Sequence, residues 1–277
     1  MKKNYIFTLL ITFCLTGASF GQALVAEDFD YGASSGDLTA VSSGTWVNHS
    51  GTAVVAYTTT GLTMAGYPSS GVGGSAMISP SGSEDVNRTF TAQTSGNVYG
   101  SALVSISAVN SGNYFIHLKD TGNSFRARVG AKDDGSGKIL FGIGAVSSTL
   151  TYGTSVFDLD TTYLLVFSYN IDTGESKLYV LTAVTSTEPT AAEATNTGTA
   201  GTEISSVAMR QSSGIPSTSI DGIRVALNWS DIMSNSTASV RTNIIEGFAT
   251  YPNPITNHTF TLTSASSEEK SVTVFNL

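Results

Sequence analysis

Short runs of alternating apolar and polar residues fill the chain from Leu24 to about Asp231, with Gly, Ser, Asn or Asp between them. A period of two is typical of strands that bury one face, and no segment sustains the period of an amphipathic helix. Eleven strands in one region favour a single all-β, two-sheet antiparallel sandwich. The predicted strands are Ala53–Tyr57, Ser75–Ile78, Val86–Thr91, Gly100–Ser107, Tyr114–Lys119, Ser124–Ala131, Lys138–Ile143, Tyr163–Asn170, Glu175–Leu181, Ile204–Arg210 and Ser219–Leu227.

Three connections between these strands can be interpreted from their composition. Asp133–Gly137 and Ile171–Gly174 combine Asp with Gly, which supplies the positive φ of tight turns, so both are predicted to be hairpin loops. The stretch Thr182–Gly201 is rich in Thr and Ala and has little bulk. It is predicted to be a long loop, or a loop that carries a short helix.

Charge excludes some classes of partner. Only 12% of the residues are charged, and the formal net charge is −8. The basic residues are scattered singly, so no basic stripe is present to neutralise a run of phosphates. Neither nucleic acid nor an anionic membrane is therefore an expected partner.

The N-terminus has the three parts of a secretory signal peptide. Lys2 and Lys3 precede an apolar segment, Ile6 to Leu15, and small residues follow it. We expect cleavage after Gly21, with cleavage after Ala23 as the alternative. The apolar segment is too short to span a bilayer, so no membrane-spanning segment is expected after signal removal. The predicted localisation is export through the inner membrane, followed by secretion or attachment to the outer surface.

The single cysteine, Cys14, lies within that apolar segment. A lipoprotein requires a small residue before its cysteine, but Phe13 stands there, which disfavours lipid attachment. The mature domain then has no cysteine and must be stabilised without disulfides.

A Ser/Asn/Thr-rich segment divides the chain near its C-terminal end. We predict a signal peptide over residues 1–21, a sandwich domain over 22–232, a linker over 233–243 and a second strand-rich piece over 244–277.

The second piece contains Tyr251-Pro252-Asn253-Pro254, then Thr259–Leu262, then Val272–Leu277. In order and spacing these resemble the type A C-terminal sorting domain of the type IX secretion system. The resemblance implies a small β-sandwich sorting module, which is truncated because the chain stops in mid-strand. It also implies that the type IX machinery is a partner and that the parent protein is released or tethered at the cell surface.

The larger region resembles concanavalin-like jelly rolls of the laminin-G and laminarinase type. Thr162–Tyr169 and Ser176–Val180 are similar to the central hairpin of that fold, Ile220–Val225 to its closing strand, and Glu27-Asp28-Phe29 to its opening strand.

The resemblance implies a structural calcium ion where the opening and closing strands lie side by side. Asp221 matches the closing-strand carboxylate, and Glu27 and Asp28 would contribute from the opening segment. The alternative is that Asp221 pairs with Arg224 or caps its strand.

The sequence contains none of the catalytic motifs considered for this fold. The Glu-x-Asp-x-x-Glu pattern of laminarinase-like hydrolases is absent, and no nucleophile elbow or paired metal-binding histidines occur. His117, in an alternating strand, is predicted to be structural. The protein is therefore predicted not to be an enzyme.

Aromatic residues near strand ends are candidates to stack on sugar rings; they are Trp46, Tyr67, Tyr99, Tyr152 and Trp229. Tyr67 and Trp46 are the two predicted ligand-binding residues. Tyr67 is the first candidate because it stands in a loop between Gly66 and Pro68. For each of them the alternative is a core position, since sandwich interiors need large rings.

Together these features predict a noncatalytic surface-delivered module that binds carbohydrate or another extracellular partner. Two alternatives remain open: a polysaccharide-degrading enzyme with an unfamiliar site, and a structural adhesin or spacer domain.

Overall fold

The computed structural model describes residues 23–234, 249–256, 259–263 and 265. The chain divides into two compact units, Met1–Thr237 and Ala238–Leu277, and this division falls within the predicted linker. The larger unit consists of two antiparallel sheets packed face to face, which confirms the predicted all-β jelly-roll sandwich.

One sheet has nine strands and the other has seven. The strands of the nine-stranded sheet are β1 (Val25–Glu27), β2 (Gly36–Asp37), β4 (Ala56–Thr58), β5 (Ser75–Ile78), β7 (Asn97–Ala108), β12 (Thr162–Asn170), β13 (Glu175–Leu181), β14 (Ala194–Thr197) and β16 (Ser217–Ala226). The strands of the seven-stranded sheet are β3 (Val47–Ser50), β6 (Asp85–Gln93), β8 (Asn113–Lys119), β9 (Phe125–Asp133), β10 (Ile139–Gly144), β11 (Thr151–Tyr152) and β15 (Ile204–Met209). Two short helices, α1 (Leu38–Val41) and α2 (Trp229–Ile232), complete the unit.

Non-consecutive strands are neighbours in both sheets. The nine-stranded sheet has the order β14-β13-β12-β7-β16-β5-β4-β2, with β1 paired to β16, and the seven-stranded sheet has the order β11-β10-β9-β8-β15-β6-β3. In β1, Ala26 lies opposite Arg224 and Glu27 opposite Ile223. The opening and closing strands therefore lie side by side, as the jelly-roll resemblance implies.

The main core lies between the sheets, where alternate side chains of each strand point inward. In β10, for example, Ile139, Phe141 and Ile143 are buried in this core, while Leu140 and Gly142 between them belong to the other face. Phe141 packs edge to face with Phe157 and Tyr163. The apolar positions of the period-two pattern are thus the side chains that form the main core.

The two glycine-containing hairpin loops are confirmed, because β9 pairs with β10 and β12 pairs with β13, both antiparallel. The stretch Thr182–Gly201 carries the short strand β14 rather than a helix. None of the helices among the described residues is long and apolar enough to cross a membrane.

A second, smaller core covers the outer face of the nine-stranded sheet. The loop of residues 59–74, the loop of residues 182–193 and helix α2 contribute side chains that pack on β7, β12 and β13; the buried members are Met64, Tyr67, Tyr99, Leu103, Leu164, Val166, Tyr179, Ala226, Trp229, Ile232 and Met233. This face of the sandwich is therefore occupied by the chain itself.

The smaller unit is described as one hairpin, in which β17 (Ala249–Thr256) pairs antiparallel with β18 (Thr259–Thr263). The pairing register shifts between Tyr251 and Thr256, the segment that holds Pro252, Asn253 and Pro254. Proline has no N–H to donate to a ladder, which accounts for an irregular segment there. The predicted signal peptide and Val272–Leu277 lie outside the described residues.

Candidate functional site

A cleft of about 540 Å³ opens on the outer face of the seven-stranded sheet, the face that the second core does not cover. Its lining combines amides, hydroxyls, one amine and an imidazole with three apolar side chains. The residues are Val47, Asn48, His49, Asn87, Thr89, Phe90, Ala92, Lys119, Thr121, Gly122, Asn123, Ser205 and Ser206.

Strand register sets the polar groups of the cleft in rows. Ser206 of β15 lies opposite Lys119 of β8 on one side and Thr89 of β6 on the other. One row further, Val47 of β3 lies opposite Asn87. Since neighbouring strands stand about 4.8 Å apart, these side chains form a regular array of hydrogen-bonding groups. Their signal in the sequence is the polar alternation in β6, which also fits an ordinary solvated face, so the sequence alone does not predict this site.

The charge of the cleft is that of a single amine. None of the described residues that line it is Asp or Glu, and Lys119 is the one Lys or Arg among them. The ammonium of Lys119 donates a 3.1 Å hydrogen bond to the Asp120 carbonyl oxygen, and burial lowers its pKa. Burial also lowers the pKa of His49, with the positive charge of Lys119 as a second cause. Both side chains therefore bind a proton less readily than they would in water.

His117 lies beside the cleft, fully buried beneath aromatic rings. Its ring centroid is 4.5 Å from that of Phe125 and 5.4 Å from that of Tyr114. Neither of its ring nitrogens has a hydrogen-bond partner in the described part of the chain, and burial together with nearby cations holds its pKa well below the usual value. His117 is thus a neutral, packed side chain, in line with the structural role predicted for it.

The prediction that Tyr67 presents its ring to a ligand is wrong. Tyr67 is only 3% exposed and belongs to the second core. Its hydroxyl donates to the Gly222 carbonyl oxygen at 2.6 Å and lies 2.8 Å from Ser101 Oγ. The loop that holds it turns back onto the nine-stranded sheet, so the ring points inward rather than to solvent.

The same prediction for Trp46 is also wrong. Trp46 is fully buried, stacks on Phe29 with an interplanar angle of 7°, and donates its indole N–H to Glu27 Oε2 at 2.9 Å. Of the other aromatic candidates, Tyr99 and Trp229 are buried in the second core. Tyr152 alone is half-buried at the outer face of the seven-stranded sheet.

Glu27 does not have the environment of a metal ligand. Its Oε1 accepts the backbone N–H of Phe29, and its Oε2 accepts from Tyr31, Trp46 and Arg88. The ion pair with Arg88 measures 2.5 Å, and the Glu27 side chain is 3% exposed. Four donors already occupy this carboxylate, so its assignment as a calcium ligand is corrected to a structural ion pair.

Asp28 and Asp221 have a different environment. Asp28 Oδ1 is buried and has no hydrogen-bond partner among residues 23–234, and Asp221 is fully buried. Asp221 accepts the backbone N–H groups of Leu62 at 2.7 Å and Gly222 at 2.6 Å. Desolvation raises its pKa to about 7, and the negative charges of Asp28 and Glu27 add to that rise.

Backbone oxygens converge on the same place. The point where a Cβ on Gly61 would stand is 2.9 Å from Asp221 Oδ2, 2.9 Å from the Gly73 carbonyl oxygen and 3.3 Å from that of Gly74. Among the described residues no three His, Cys, Asp or Glu side chains could share a metal ion, so a cation here must take most of its ligands from carbonyls. Calcium accepts such hard oxygen ligands. The ion pairs of the described chain do not include one between Asp221 and Arg224.

No protein-family profile and no curated protein matches this chain. Solved structures with a similar fold include a sialidase, with a TM-score of 0.47 and 13% identity over 74% of this chain and 18% of that one. Another is domain 4 of AbnA, a GH43 extracellular arabinanase from Geobacillus stearothermophilus, in complex with arabinotriose: TM-score 0.43, 13% identity, 77% of this chain and 97% of that one. A GH54 α-L-arabinofuranosidase has a TM-score of 0.44 and 8% identity over 64% and 42%. At such values these similarities do not decide function.

Proposed function

We propose that the sandwich domain is a noncatalytic module that binds carbohydrate in the cleft on the outer face of the seven-stranded sheet. The observation that supports this most directly is the array of amide, hydroxyl and amine groups from Asn87, Thr89, Lys119 and Ser206 beside the apolar wall of Phe90. A sugar ring presents hydroxyls on its rim and C–H groups on its faces, which such a lining complements.

The absence of catalysis is part of the proposal. Hydrolysis of a glycosidic bond generally requires two carboxyl groups on either side of the scissile bond. No Asp or Glu is among the described residues that line the cleft. His49, the one imidazole there, has a lowered pKa and no carboxylate in the lining with which to form an acid–base pair.

A glycan array probed with the purified chain, followed by a reducing-sugar assay on every glycan retained, tests this proposal. Binding without release of reducing sugar is the expected result. Release of reducing sugar would contradict the noncatalytic part and favour a degrading enzyme. Absence of binding to any glycan would contradict the binding part and leave an adhesin or spacer domain.

A structural calcium ion belongs to the same proposal. Asp221, Asp28 and the carbonyl oxygens of Gly73 and Gly74 would hold it, and when bound it would compensate the buried negative charge at this place. It would tie the loop of residues 59–74 to the opening segment and the closing strand. Its role is stability rather than chemistry.

The proposed delivery rests on sequence motifs. The signal peptide directs the chain across the inner membrane, and the Tyr251-Pro252-Asn253-Pro254 segment, within β17, directs it to the type IX machinery. The chain is then secreted or attached at the outer surface. A test is to express the full chain in a cell that has this machinery, to sequence its N-terminus and to cross-link it to the machinery. An N-terminus at Gln22 or Leu24, with cross-links that are lost when Tyr251-Pro252-Asn253-Pro254 is replaced by alanines, supports the assignment. An uncleaved chain, or cross-links that survive the replacement, contradict it.

A further inference from the structure

Two arginines on the outer face of the seven-stranded sheet share one aromatic ring. The guanidinium carbon of Arg210 lies 4.4 Å from the Tyr114 ring centroid, and that of Arg128 lies 5.1 Å from the same centroid. Arg128 is also 5.5 Å from the centroid of Phe125. The rings hold both cations at defined positions on this face.

Neither arginine forms an ion pair with a carboxylate of the described residues, although the positive charge of Arg210 acts to lower the pKa of the Asp85 carboxyl. The ion pairs within the described part of the chain join Arg88 to Glu27, Lys138 to Asp158 and Lys177 to Glu175, and neither Arg128 nor Arg210 takes part. Arg128 is half-buried, and its Nε has no hydrogen-bond partner among the described residues, while its Nη1 donates to the Val146 carbonyl oxygen at 2.7 Å. Burial and the positive charge of Arg210 both lower the Arg128 pKa. Desolvated charges in proteins are normally paired, so Arg128 lacks an anion within the described part of the chain.

The arginine pair lies on the same face as the cleft. Ser206, Ala208 and Arg210 occupy every second position of an extended segment, so their side chains point to one side of the sheet. Ser206 lines the cleft, and four residues of extended chain separate it from Arg210, about 13 Å. A linear chain of several sugar units is long enough to contact both.

Other charges on this face agree with a cationic surface. The Lys119 ammonium is the one Lys or Arg charge among the described residues that line the cleft, and the Lys132 ammonium lies 4.3 Å from the Tyr152 ring centroid beyond the arginines. Asp85, which accepts from the Gln211 N–H, is the carboxylate that interacts with Arg210. Two more carboxylates stand near the opposite end, at the cleft rim: Asp120, which accepts from the Ser124 N–H, and Glu203, which accepts from the Thr121 N–H. This surface is cationic in a chain whose formal net charge is −8.

We propose that the carbohydrate bound by this face is acidic, with its carboxylate or sulfate groups held by Arg128 and Arg210 while neighbouring sugar units occupy the cleft. The inference rests on the proposed carbohydrate-binding function and specifies its ligand class. A planar guanidinium matches both oxyanions because it can donate two parallel hydrogen bonds.

Calorimetric titration of the full chain with two matched pairs of oligosaccharides tests the proposal. One pair is an oligogalacturonate and its methyl ester, and the other is a sulfated galactan oligosaccharide and its desulfated form. We expect at least one acidic member to bind tenfold or more tightly than its neutral partner, and this preference to shrink as salt is added. Whichever pair shows the larger preference assigns the anion as carboxylate or sulfate.

The charge-removing variant R128Q/R210Q should lose the preference for the acidic member, whereas K138Q/K177Q, which removes two charges elsewhere, should keep it. The variant R128K/R210K keeps both charges but loses the bidentate guanidinium groups, so it should retain a reduced preference that still falls as salt is added. Equal melting temperatures of the parent and the glutamine variant exclude a fold defect. Equal binding of acidic and neutral members would overturn the inference and leave the proposed function intact. Absence of binding to all four oligosaccharides, together with an empty glycan array, would overturn both.

Discussion

The Tyr67 hydroxyl donates a 2.6 Å hydrogen bond to the carbonyl oxygen of Gly222, which ties the loop of residues 59–74 to strand β16. Gly222 has a φ of +57°, and a Cβ there would stand 3.0 Å from Tyr67 Cε1. The glycine is needed both for its backbone conformation and for the space that the ring occupies. Tyr67 is therefore an anchor of the loop, although its sequence context favours an exposed position.

Replacement of Tyr67 should destabilise the domain. We expect Tyr67→Ala to lower the free energy of unfolding by about 3–5 kcal/mol, as for other large buried aromatics, and Tyr67→Phe to lower it by about 1 kcal/mol through the lost hydrogen bond. Val72→Ala, at a 40% exposed position in the same loop, serves as the control and should change it by less than about 0.5 kcal/mol. Urea denaturation measures all three. A Tyr67→Ala variant as stable as the parent would contradict the buried position.

Glu27 should be among the most sensitive buried polar positions. Glu27→Gln leaves Arg88 without its counter-ion and cannot satisfy all four donors, so we expect a loss of about 3–5 kcal/mol. Glu175→Gln breaks the ion pair with Lys177, in which the two side chains are 40% and 38% exposed, and should cost at most about 1 kcal/mol. Thermal unfolding followed by circular dichroism compares them. Similar losses in the two variants would show that the Glu27 cluster is not a buried ion pair.

The sequence predicts the fold better than it predicts the site, and the reason is physical. The predicted limits of the longer strand β13 coincide with those observed, and those of β12 differ by one residue. Strands of two to four residues, such as β2 and β11, are too short to show a period and are formed by pairing with neighbours.

The candidate site depends on contacts between distant residues. Lys119, Ser206 and Thr89 become neighbours only through the pairing of β8, β15 and β6, which no local pattern encodes. Conversely, Tyr67 and Trp46 are buried by segments of the chain that are distant from them in sequence. The position of Asp221 beside the opening segment could be anticipated, because it follows from the antiparallel pairing of β1 with β16.

His117 should make stability depend on pH. Its pKa is lowered in the folded protein from a usual value of 6.5, so the unfolded chain takes up the proton first as pH falls. Below pH 6.5 the parent should lose about 1.4 kcal/mol per pH unit relative to His117→Phe, until the folded protein itself binds the proton. Comparison with the variant removes the contribution of other groups to the pH dependence of stability, such as that of Asp221, whose raised pKa acts in the opposite direction. Parallel stability profiles of the two proteins between pH 7.5 and 5 would contradict a buried neutral His117.

Calcium removal should lower the melting temperature of the parent. A ligand that binds only the native state adds about 2.7 kcal/mol at a hundredfold excess over Kd, so excess chelator should shift the melting temperature by several degrees. Asp221→Asn should abolish most of this response, whereas Asp134→Asn, in the exposed β9–β10 hairpin, should retain it. A melting temperature that responds to neither chelator nor added calcium would contradict a cation at Asp221.

The central claim is that carbohydrate binds in the cleft of the seven-stranded sheet. Thr89 and Asn123 are exposed residues of its lining, and Thr195 is an exposed residue of β14 on the other sheet. The measurement that tests the claim most directly is calorimetric titration of T89V/N123A and T195V with the tightest-binding glycan from the array. We predict that T89V/N123A weakens binding at least tenfold with an unchanged melting temperature, while T195V binds as the parent does. Unchanged affinity in T89V/N123A would contradict the claim.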